Sequence, residues 1–158
     1  MSIQPRWLSD REQAAWRRYL AMVRDLTWAQ GRQVQVDHGI SLQDFQVLVH
    51  VSEAKEGKIR TSALAEAAGW ERSRLSHHLG RMERRGLVTR TACPRDGRGV
   101  IVGLTEEGWR TIHAAAPDHV ALVRRVFIDA LGEEGLRALD HVTTTVLAAL
   151  EAEEPESR

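Results

Sequence analysis

Cysteine is nearly absent from this chain of 158 residues, and its single copy, Cys93, excludes an intrachain disulfide. No run of about eighteen apolar residues occurs, so no membrane-spanning helix is expected. The N-terminus carries Arg6, Asp10 and Arg11 and lacks the pattern of a secretory signal peptide. We therefore expect a cytoplasmic protein.

Motifs for catalysis and for metal or cofactor binding are also missing. There is no Ser/His/Asp set, no phosphate-binding loop and no recognisable motif of paired carboxylates, so an enzyme is not expected. His77 and His78 are adjacent, but neighbouring residues on a helix point about 100° apart, whereas metal-binding helices pair histidines four residues apart. We predict no catalytic residue, no metal ligand and no cofactor.

Positive charge is unevenly distributed, although the whole chain is neutral with 22 basic and 22 acidic residues. Between Arg60 and Arg98, nine arginines stand against four acids, so this segment has a net charge of +5 and the remainder −5. A locally basic module in a neutral protein is typical of a compact nucleic-acid-binding protein, because only the surface that faces phosphate needs positive potential. A chance run of solvated arginines is the alternative on charge alone.

The segments outside this basic module are predicted to be mostly helical. The pattern predicts helices over residues 10–35, 41–53, 105–132 and 133–150, a short β step at 58–60 and a disordered acidic tail at 151–158. Gly39 and Gly132 suit the ends of two of these helices. The first helix is too long to be covered by a small domain of its own, so part of its apolar stripe is expected to contact another chain.

The central segment, residues 61–105, predicts a helix-turn-helix followed by a β-wing. Residues 61–69 form the first helix, with Leu64 and Ala67 facing inward, and residues 71–85 form the second helix after a turn at Gly69 and Trp70. Two β-rich runs, 87–91 and 100–104, flank a glycine-rich tip. The order of elements predicts an α+β fold that is mainly α with a small β-wing and that binds duplex DNA.

The second helix of this module has one apolar and one polar face. Leu75, Leu79 and Met82 fall within about 60° of each other at 100° per residue, so we expect them to face the core. The opposite face bears no acid and is narrow at Gly80, as entry into the major groove requires. We predict base-edge contacts from Arg74, Ser76 and His77, and phosphate contacts from Thr61, Ser62, Arg72, Ser73 and Arg81. His78 lies toward the core and is interpreted as structural.

The wing tip provides a second predicted contact with DNA. Arg98 lies at the tip of the ribbon, from which a guanidinium reaches the minor groove. Asp96, two residues away, is interpreted as the acid that holds the Arg98 side chain in place, and Arg95 adds to the basic tip. An ordinary hairpin turn with solvated charges is the alternative. Cys93, at the foot of the tip, is interpreted as incidental.

Residues 96–108, with the sequence DGRGVIVGLTEEG, resemble the wing signature of the MarR family of bacterial transcriptional regulators (multiple antibiotic resistance regulators). The resemblance extends upstream through residues 64–65, 73–76 and 81–88, and the order and spacing of the helices agree from Asp10 to Leu150. It implies a winged helix-turn-helix with interlocking N- and C-terminal dimerisation helices. The expected domains are an N-terminal dimerisation helix at 1–38, a DNA-binding domain at 39–107 and C-terminal dimerisation helices at 108–150.

The resemblance also implies partners. Such proteins are homodimers that bind pseudo-palindromic operators in double-stranded DNA, and many are repressors released by a small, often aromatic, ligand. Asp96 and Arg98 match the wing pair of the family. The ligand would lie between the dimerisation and DNA-binding parts, against Trp16, Trp28, Phe45, Leu48, Trp109 and Ile112. Each of these six residues also suits a plain core position.

Two functions remain open at the level of sequence. The first is a ligand-responsive dimeric repressor, as the resemblance implies. The second is a constitutive or architectural DNA-binding protein that has no small-molecule effector. Peroxide sensing through a cysteine near the N-terminus is not supported, because Cys93 lies in the wing.

Overall fold

The structure, a computed structural model, describes residues 6–93 and 99–153 and is mainly helical with one small sheet. One compact unit ends at His119, and a second begins at Val120. In chain order the elements are α1 (Asp10–His38), α2 (Leu42–Glu53), a 3₁₀ turn (Lys55–Gly57), β1 (Lys58–Arg60), α3 (Thr61–Ala68), α4 (Arg72–Arg84), β2 (Val88–Ala92), β3 (Val100–Leu104), α5 (Glu106–Val123), a π turn (Arg124–Ile128) and α6 (Asp129–Glu153). The predicted fold class is therefore confirmed.

The ends of α1 follow from its sequence. The Ser9 hydroxyl accepts a hydrogen bond from the Glu12 amide, and the Glu12 carboxylate accepts one from the Ser9 amide at 2.7 Å. This reciprocal capping box satisfies two amides that the first helical turn leaves unpaired. At the other end Gly39 adopts a left-handed conformation with φ +66°, as predicted, and α1 runs three residues beyond its predicted end.

The C-terminal part of the chain differs from the prediction in two places. α5 continues through Pro117 but ends at Val123, where the π turn interrupts the helix predicted over residues 105–132. Gly132 has φ +61° and interrupts the helical geometry at its predicted place. The predicted tail was wrong for residues 151–153, which continue α6 to Glu153; residues 154–158 lie outside the described part of the chain.

The sheet has the order β1-β3-β2, and both pairings are antiparallel. Its apolar face and the surrounding helices enclose one core, whose fully buried members include Leu48, Leu64, Leu75, Leu79, Met82 and Val102. Leu64 is buried as predicted, but Ala67 is exposed and Ala65 is buried in its place. The error in α3 is a shift of two residues, because several alanines give a short helix no clear apolar direction.

The first turn of α5 packs directly on the segment that precedes β2. A Cβ at Gly108 would overlap the carbonyl oxygen of Leu87, so only glycine fits there without movement of the backbone. Thr105, just before α5, donates from its hydroxyl to the Gly86 carbonyl at 2.5 Å and accepts from the Gly108 amide at 2.9 Å. The start of α5 is therefore joined to the residues between α4 and β2.

Large apolar side chains remain exposed on the first and last helices. On α1 they are Trp16, Tyr19, Leu20, Met22, Val23, Trp28 and Val36, of which Trp28 is 63% exposed. On α6 they are Val142, Val146, Leu147 and Leu150, each more than half exposed. Exposed apolar patches of this extent mark interaction surfaces.

Candidate nucleic-acid interface

A tight turn connects α3 to α4. Gly69 adopts φ +63°, and its amide together with that of Trp70 bonds back to the last carbonyls of α3. Glycine is the residue type that helix C-termini favour in this left-handed conformation, and the turn itself lies where the sequence predicted it. The turn lets α4 begin at Arg72 in a new direction.

α4 separates into the two predicted faces. Leu75, Leu79 and Met82 are all 0% exposed and anchor the helix in the core. The exposed residues are Arg72, Ser73, Arg74, Ser76, His77, Arg81 and Arg84. All five predicted contacts in the middle of the helix (Ser73, Arg74, Ser76, His77 and Arg81) therefore lie on its exposed side. Their contact with DNA stays a prediction.

The N-terminus of α3 and one side of α4 line a basic cleft. Thr61, Ser62, Arg72 and Ser76, all predicted contacts, share this cleft of about 380 Å³ with Arg60 and Arg90. The Thr61 hydroxyl donates to the Val100 carbonyl at 3.0 Å, so the first residue of α3 is held against β3. Hydroxyls and guanidinium groups in one concave surface suit a phosphate of the DNA backbone.

Arg90 is a basic residue of this surface that sequence reasoning did not single out. It lies on β2, and its Nε and Nη2 donate to one carboxylate oxygen of Glu83 on α4, at 2.9 and 2.7 Å. Its Nη2 is also 3.8 Å from the position that a Cβ of Gly80 would occupy. Gly80 thus leaves room for a wing arginine beside α4, in a second cleft of about 320 Å³ that His77, Arg81 and Arg84 also line.

A buried polar network joins α2 to α4. Asp44, only 3% exposed, accepts from Arg85 Nη1 at 2.6 Å and from the Ser41 amide at 3.0 Å. Its other oxygen lies 2.9 Å from His78 Nε2, and His78 Nδ1 lies 2.7 Å from Arg81 Nη2. Burial alone would raise the pKa of Asp44, but the hydrogen bonds from Arg85 and Ser41 outweigh it and hold the pKa below its usual value.

His78 is buried as predicted, with 7% of its surface exposed. Burial lowers its pKa below the usual value; the charge of Asp44 opposes this effect and that of Arg81 adds to it. The sequence did not reveal Asp44 as its partner, because the carboxylate also caps α2 at the N3 position. A capping acid is ordinarily exposed, whereas this one is buried beside His78 and Arg85.

Trp70 connects the same network to Arg74. Its ring meets the His78 ring edge-on with centroids 5.3 Å apart, and the Arg74 guanidinium lies 5.0 Å from the indole centroid. The indole thus supports an arginine that is a predicted base-edge contact. Trp70, Arg74, His78 and Arg81 line a cleft of about 590 Å³ together with residues of the α1–α2 junction.

The wing is described only up to its tip. Arg95, Asp96 and Arg98, the predicted tip contacts, lie outside the described residues. At the foot of the tip Cys93 is buried, its amide donates to the Gly99 carbonyl at 2.7 Å, and Arg60 Nη2 donates to its sulfur at 3.1 Å. The ribbon is therefore closed at Cys93 and Gly99.

The six predicted ligand contacts do not share one environment. Phe45, Leu48 and Ile112 are core residues with at most 5% exposure, Trp109 is half-buried, and Trp16 and Trp28 are largely exposed. None of the six lines the three clefts described above. Trp109 packs against the 3₁₀ turn, where a Cβ on Gly57 would come within 2.7 Å of its ring.

The described residues contain neither a metal-binding cluster nor a membrane-spanning helix. Within residues 6–93 and 99–153, no three His, Cys, Asp or Glu side chains form a group that could hold a metal ion. None of the helices in these ranges has the length and apolar character that a membrane span requires.

Comparisons with known proteins agree on one family. A family model described as MarR family matches residues 38–99. Among solved structures, AbsC, a MarR family transcriptional regulator from Streptomyces coelicolor, is 42% identical with a TM-score of 0.89, over 94% of this chain and 99% of that one. Sco3205, a MarR family transcriptional regulator from the same species solved in complex with DNA, is 36% identical with a TM-score of 0.89, over 95% and 94%. The HTH-type transcriptional repressor MdtR of Bacillus subtilis (strain 168) is 27% identical over 112 residues, 71% of this chain and 72% of that protein.

Proposed function

This chain belongs to the MarR family of transcriptional regulators, which are not enzymes, and from that premise we propose that it is a homodimeric repressor of transcription. It binds a pseudo-palindromic operator in double-stranded DNA through α4 and the wing, and a small aromatic ligand releases it. The observation that carries the proposal is the exposed face of α4, which presents arginine, serine and histidine from a helix anchored by fully buried residues.

The chemistry of this face supports binding in the major groove. Arg74 and His77 provide donors for base edges, while the cleft that contains Thr61, Ser62 and Arg72 suits a flanking phosphate. Sco3205, which is 36% identical over nearly the whole chain and was solved in complex with DNA, supports DNA binding by this protein. Arg90 adds a cation that approaches α4 from the wing. In this proposal residues 39–107 bind DNA, and Arg95, Asp96 and Arg98 contact the minor groove.

The exposed apolar side chains support a homodimer. α1 and α6 each expose a series of large apolar side chains that a stable monomer in water does not favour. A second copy of the chain offers matching apolar surfaces, and a two-fold dimer places two α4 helices for two half-sites. Residues 1–38 and 108–150 would form this interface, and the protein would act in the cytoplasm with its DNA.

The proposal that the protein represses transcription and the proposal that a ligand relieves this repression are supported by different observations. The relative MdtR is named a transcriptional repressor, and 27% identity over 72% of its length favours the same direction of control. The ligand is inferred from the family resemblance and from the indole rings of Trp16, Trp28 and Trp109. Phe45, Leu48 and Ile112 would contact it only if the core around them opens.

Selection of binding sites from random duplex DNA and from genomic fragments tests the proposal. We expect an enriched sequence with two inverted half-sites about one helical turn apart. Arg74→Ala should weaken binding to the enriched duplex by about 1–3 kcal/mol. Arg137→Ala, which removes the same charge from α6, is the matched control and should bind as the parent does. Absence of any enriched sequence would contradict the DNA-binding proposal.

Intrinsic tryptophan fluorescence tests the ligand. The dimer is titrated with phenolic acids, purines and antibiotics, and compounds that change the emission are then assayed for release of the enriched duplex. A compound that does both supports the repressor with an effector. No response across the panel, with unchanged DNA affinity, favours the constitutive DNA-binding protein instead.

A further inference from the structure

His78 lies at the centre of the buried contacts beneath the exposed face of α4. It packs edge-on against Trp70, lies beside Asp44 of α2, and meets Arg81 one helical turn further along α4. Asp44 and His78 are buried, whereas Arg81 is exposed. The three side chains therefore form a path from the core of the unit to its outer surface.

The contact with Arg81 fixes the position of the proton on His78. A guanidinium can only donate, so Nδ1 at 2.7 Å from Arg81 Nη2 must be the unprotonated acceptor. The imidazole proton is then on Nε2, which faces the Asp44 carboxylate at 2.9 Å. That contact is short but bent away from the geometry of a directional hydrogen bond. The negative charge of Asp44 nevertheless favours the tautomer with the proton on Nε2.

Asp44 is itself held in place from two sides. Its second oxygen accepts from the Ser41 amide and from Arg85, and Arg85 also donates to the Gly39 carbonyl at 3.3 Å. Because these groups fix the carboxylate against the start of α2, His78 cannot rotate without losing its contact with Asp44. The charged groups around His78 are thus Asp44 from α2, Arg74 and Arg81 from α4, and Arg85 directly after α4.

Arg81 is the exposed end of this path. It lines the cleft that contains Trp70 and His78 and also the cleft that contains His77, Gly80 and Arg90. A long side chain at such a place has many rotamers in water, and ordering it costs conformational entropy. The contact with His78 orders the guanidinium before DNA arrives and uses only one of its five N–H donors.

We propose that His78 is a positioning residue for DNA recognition, which accepts a hydrogen bond from Arg81 and holds its guanidinium ready for the operator. The inference rests on the proposed DNA-binding function and names a residue that contacts no DNA itself. It differs from a purely structural role of His78, in which the ring would only fill space between Trp70 and the start of α2.

A double-mutant cycle on DNA affinity distinguishes the two roles. The probe is the duplex that the wild-type dimer enriches from random DNA, and the variants are His78→Leu, Arg81→Ala and both together. We expect His78→Leu to weaken binding about tenfold when Arg81 is present and less than about threefold in the Arg81→Ala background. His78→Gln, whose amide offers an acceptor to Arg81 and a donor to Asp44, should restore binding to within about threefold of the wild type.

A purely structural role predicts another result. Damage to the packing of α4 would weaken binding by the same factor in both backgrounds, and His78→Gln would not restore it; either finding overturns the proposal. If circular dichroism shows that His78→Leu is unfolded, His78→Met takes its place, since an unbranched thioether fills the site without an acceptor.

Nitrogen NMR of the wild-type protein near neutral pH tests the geometry without a substitution. Signals that place the His78 proton on Nε2 support the proposal, and signals that place it on Nδ1 overturn it. If the wild-type dimer enriches no duplex at all, the proposed function fails together with this inference. If the wild type binds but the cycle shows no coupling, only the inference about His78 fails.

Discussion

Asp44 and His78 are both buried and titratable, but the fold favours the charged form of Asp44 and the neutral form of His78. Asp44 is stable as a carboxylate because Arg85 and the Ser41 amide donate to it, whereas His78 is stable as a neutral ring because burial disfavours its charge. His119 is in the same situation as His78, since burial lowers its pKa while its ring packs against Phe45 at 4.5 Å. Each of these residues makes the stability of the fold depend on pH.

The free energy of unfolding should therefore decrease on mild acidification. Both histidines have a lowered pKa in the folded state, so their contribution is fully present above the unfolded value of about 6.5 and is lost as the pH falls through their folded values. Urea unfolding between about pH 7.5 and pH 5, at constant protein concentration, measures this loss. His119→Gln should flatten the profile, and an unchanged slope in that variant would contradict the role given to His119. Asp44, whose pKa is also lowered, loses its contribution only at more acidic pH, below its ordinary value of 3.8.

At the scale of single residues, the sequence predicted exposure better than it predicted partners. The wheel of α4 placed Leu75, Leu79 and Met82 inside and the polar candidates outside, because helical periodicity decides which residues face the core. It did not indicate the pairing of Asp44 with His78, or that of Glu83 with Arg90. Those pairs join separate elements, and no local pattern encodes the distance between them.

At the scale of the elements, most helix ends are determined by local interactions, namely side-chain caps and left-handed glycines. Gly39 ends α1 in a left-handed conformation, as predicted, and Gly69 lies at the predicted turn, while the Ser9 and Ser41 side chains cap α1 and α2. The inward orientation of Ala67 in α3 and the extent of α6 were predicted wrongly. In those segments the sequence is rich in alanine or in acids, and burial against neighbours or continued helical hydrogen bonding decides the outcome.

Two glycines within helices give a matched pair for testing local packing. At Gly80 in α4 a Cβ would have only the ends of Arg84 and Arg90 within 4 Å, so Gly80→Ala should stabilise the fold by up to about 1 kcal/mol through helix propensity. At Gly108 in α5 a Cβ would overlap the Leu87 carbonyl, so Gly108→Ala should destabilise it by about 1–3 kcal/mol or more. Urea unfolding of both variants measures the difference. Equal stability would mean that α5 does not press on the segment before β2.

For the whole molecule, the most informative feature is the apolar surface that a single chain exposes to solvent. Val142, Val146, Leu147 and Leu150 lie near one side of α6, and α1 carries a second exposed apolar series. A pattern of this kind was predicted for α1 from its length alone. For α6, a role in dimerisation was expected from the family resemblance.

We expect light scattering to give twice the chain mass of 17.8 kDa at micromolar concentration. Leu147→Glu should weaken the dimer by about tenfold or more, because a carboxylate would be buried in the interface. Ala148→Glu adds the same charge on a different side of α6 and serves as the control. A monomer mass for the wild type, or an equal effect of both variants, would contradict this interface.

The contact between Gly108 and Leu87 has a mechanical consequence. The Thr105 hydroxyl bonds the start of α5 to the Gly86 carbonyl, and at Gly108 the backbone of α5 lies directly against the Leu87 carbonyl. Rotation of α5 about its axis would therefore exert torque on the end of α4 and on the root of the wing at the same time. If a ligand releases the protein from DNA, as proposed, it would not have to contact α4, because a rotation of α5 would reach α4 and the wing through this contact.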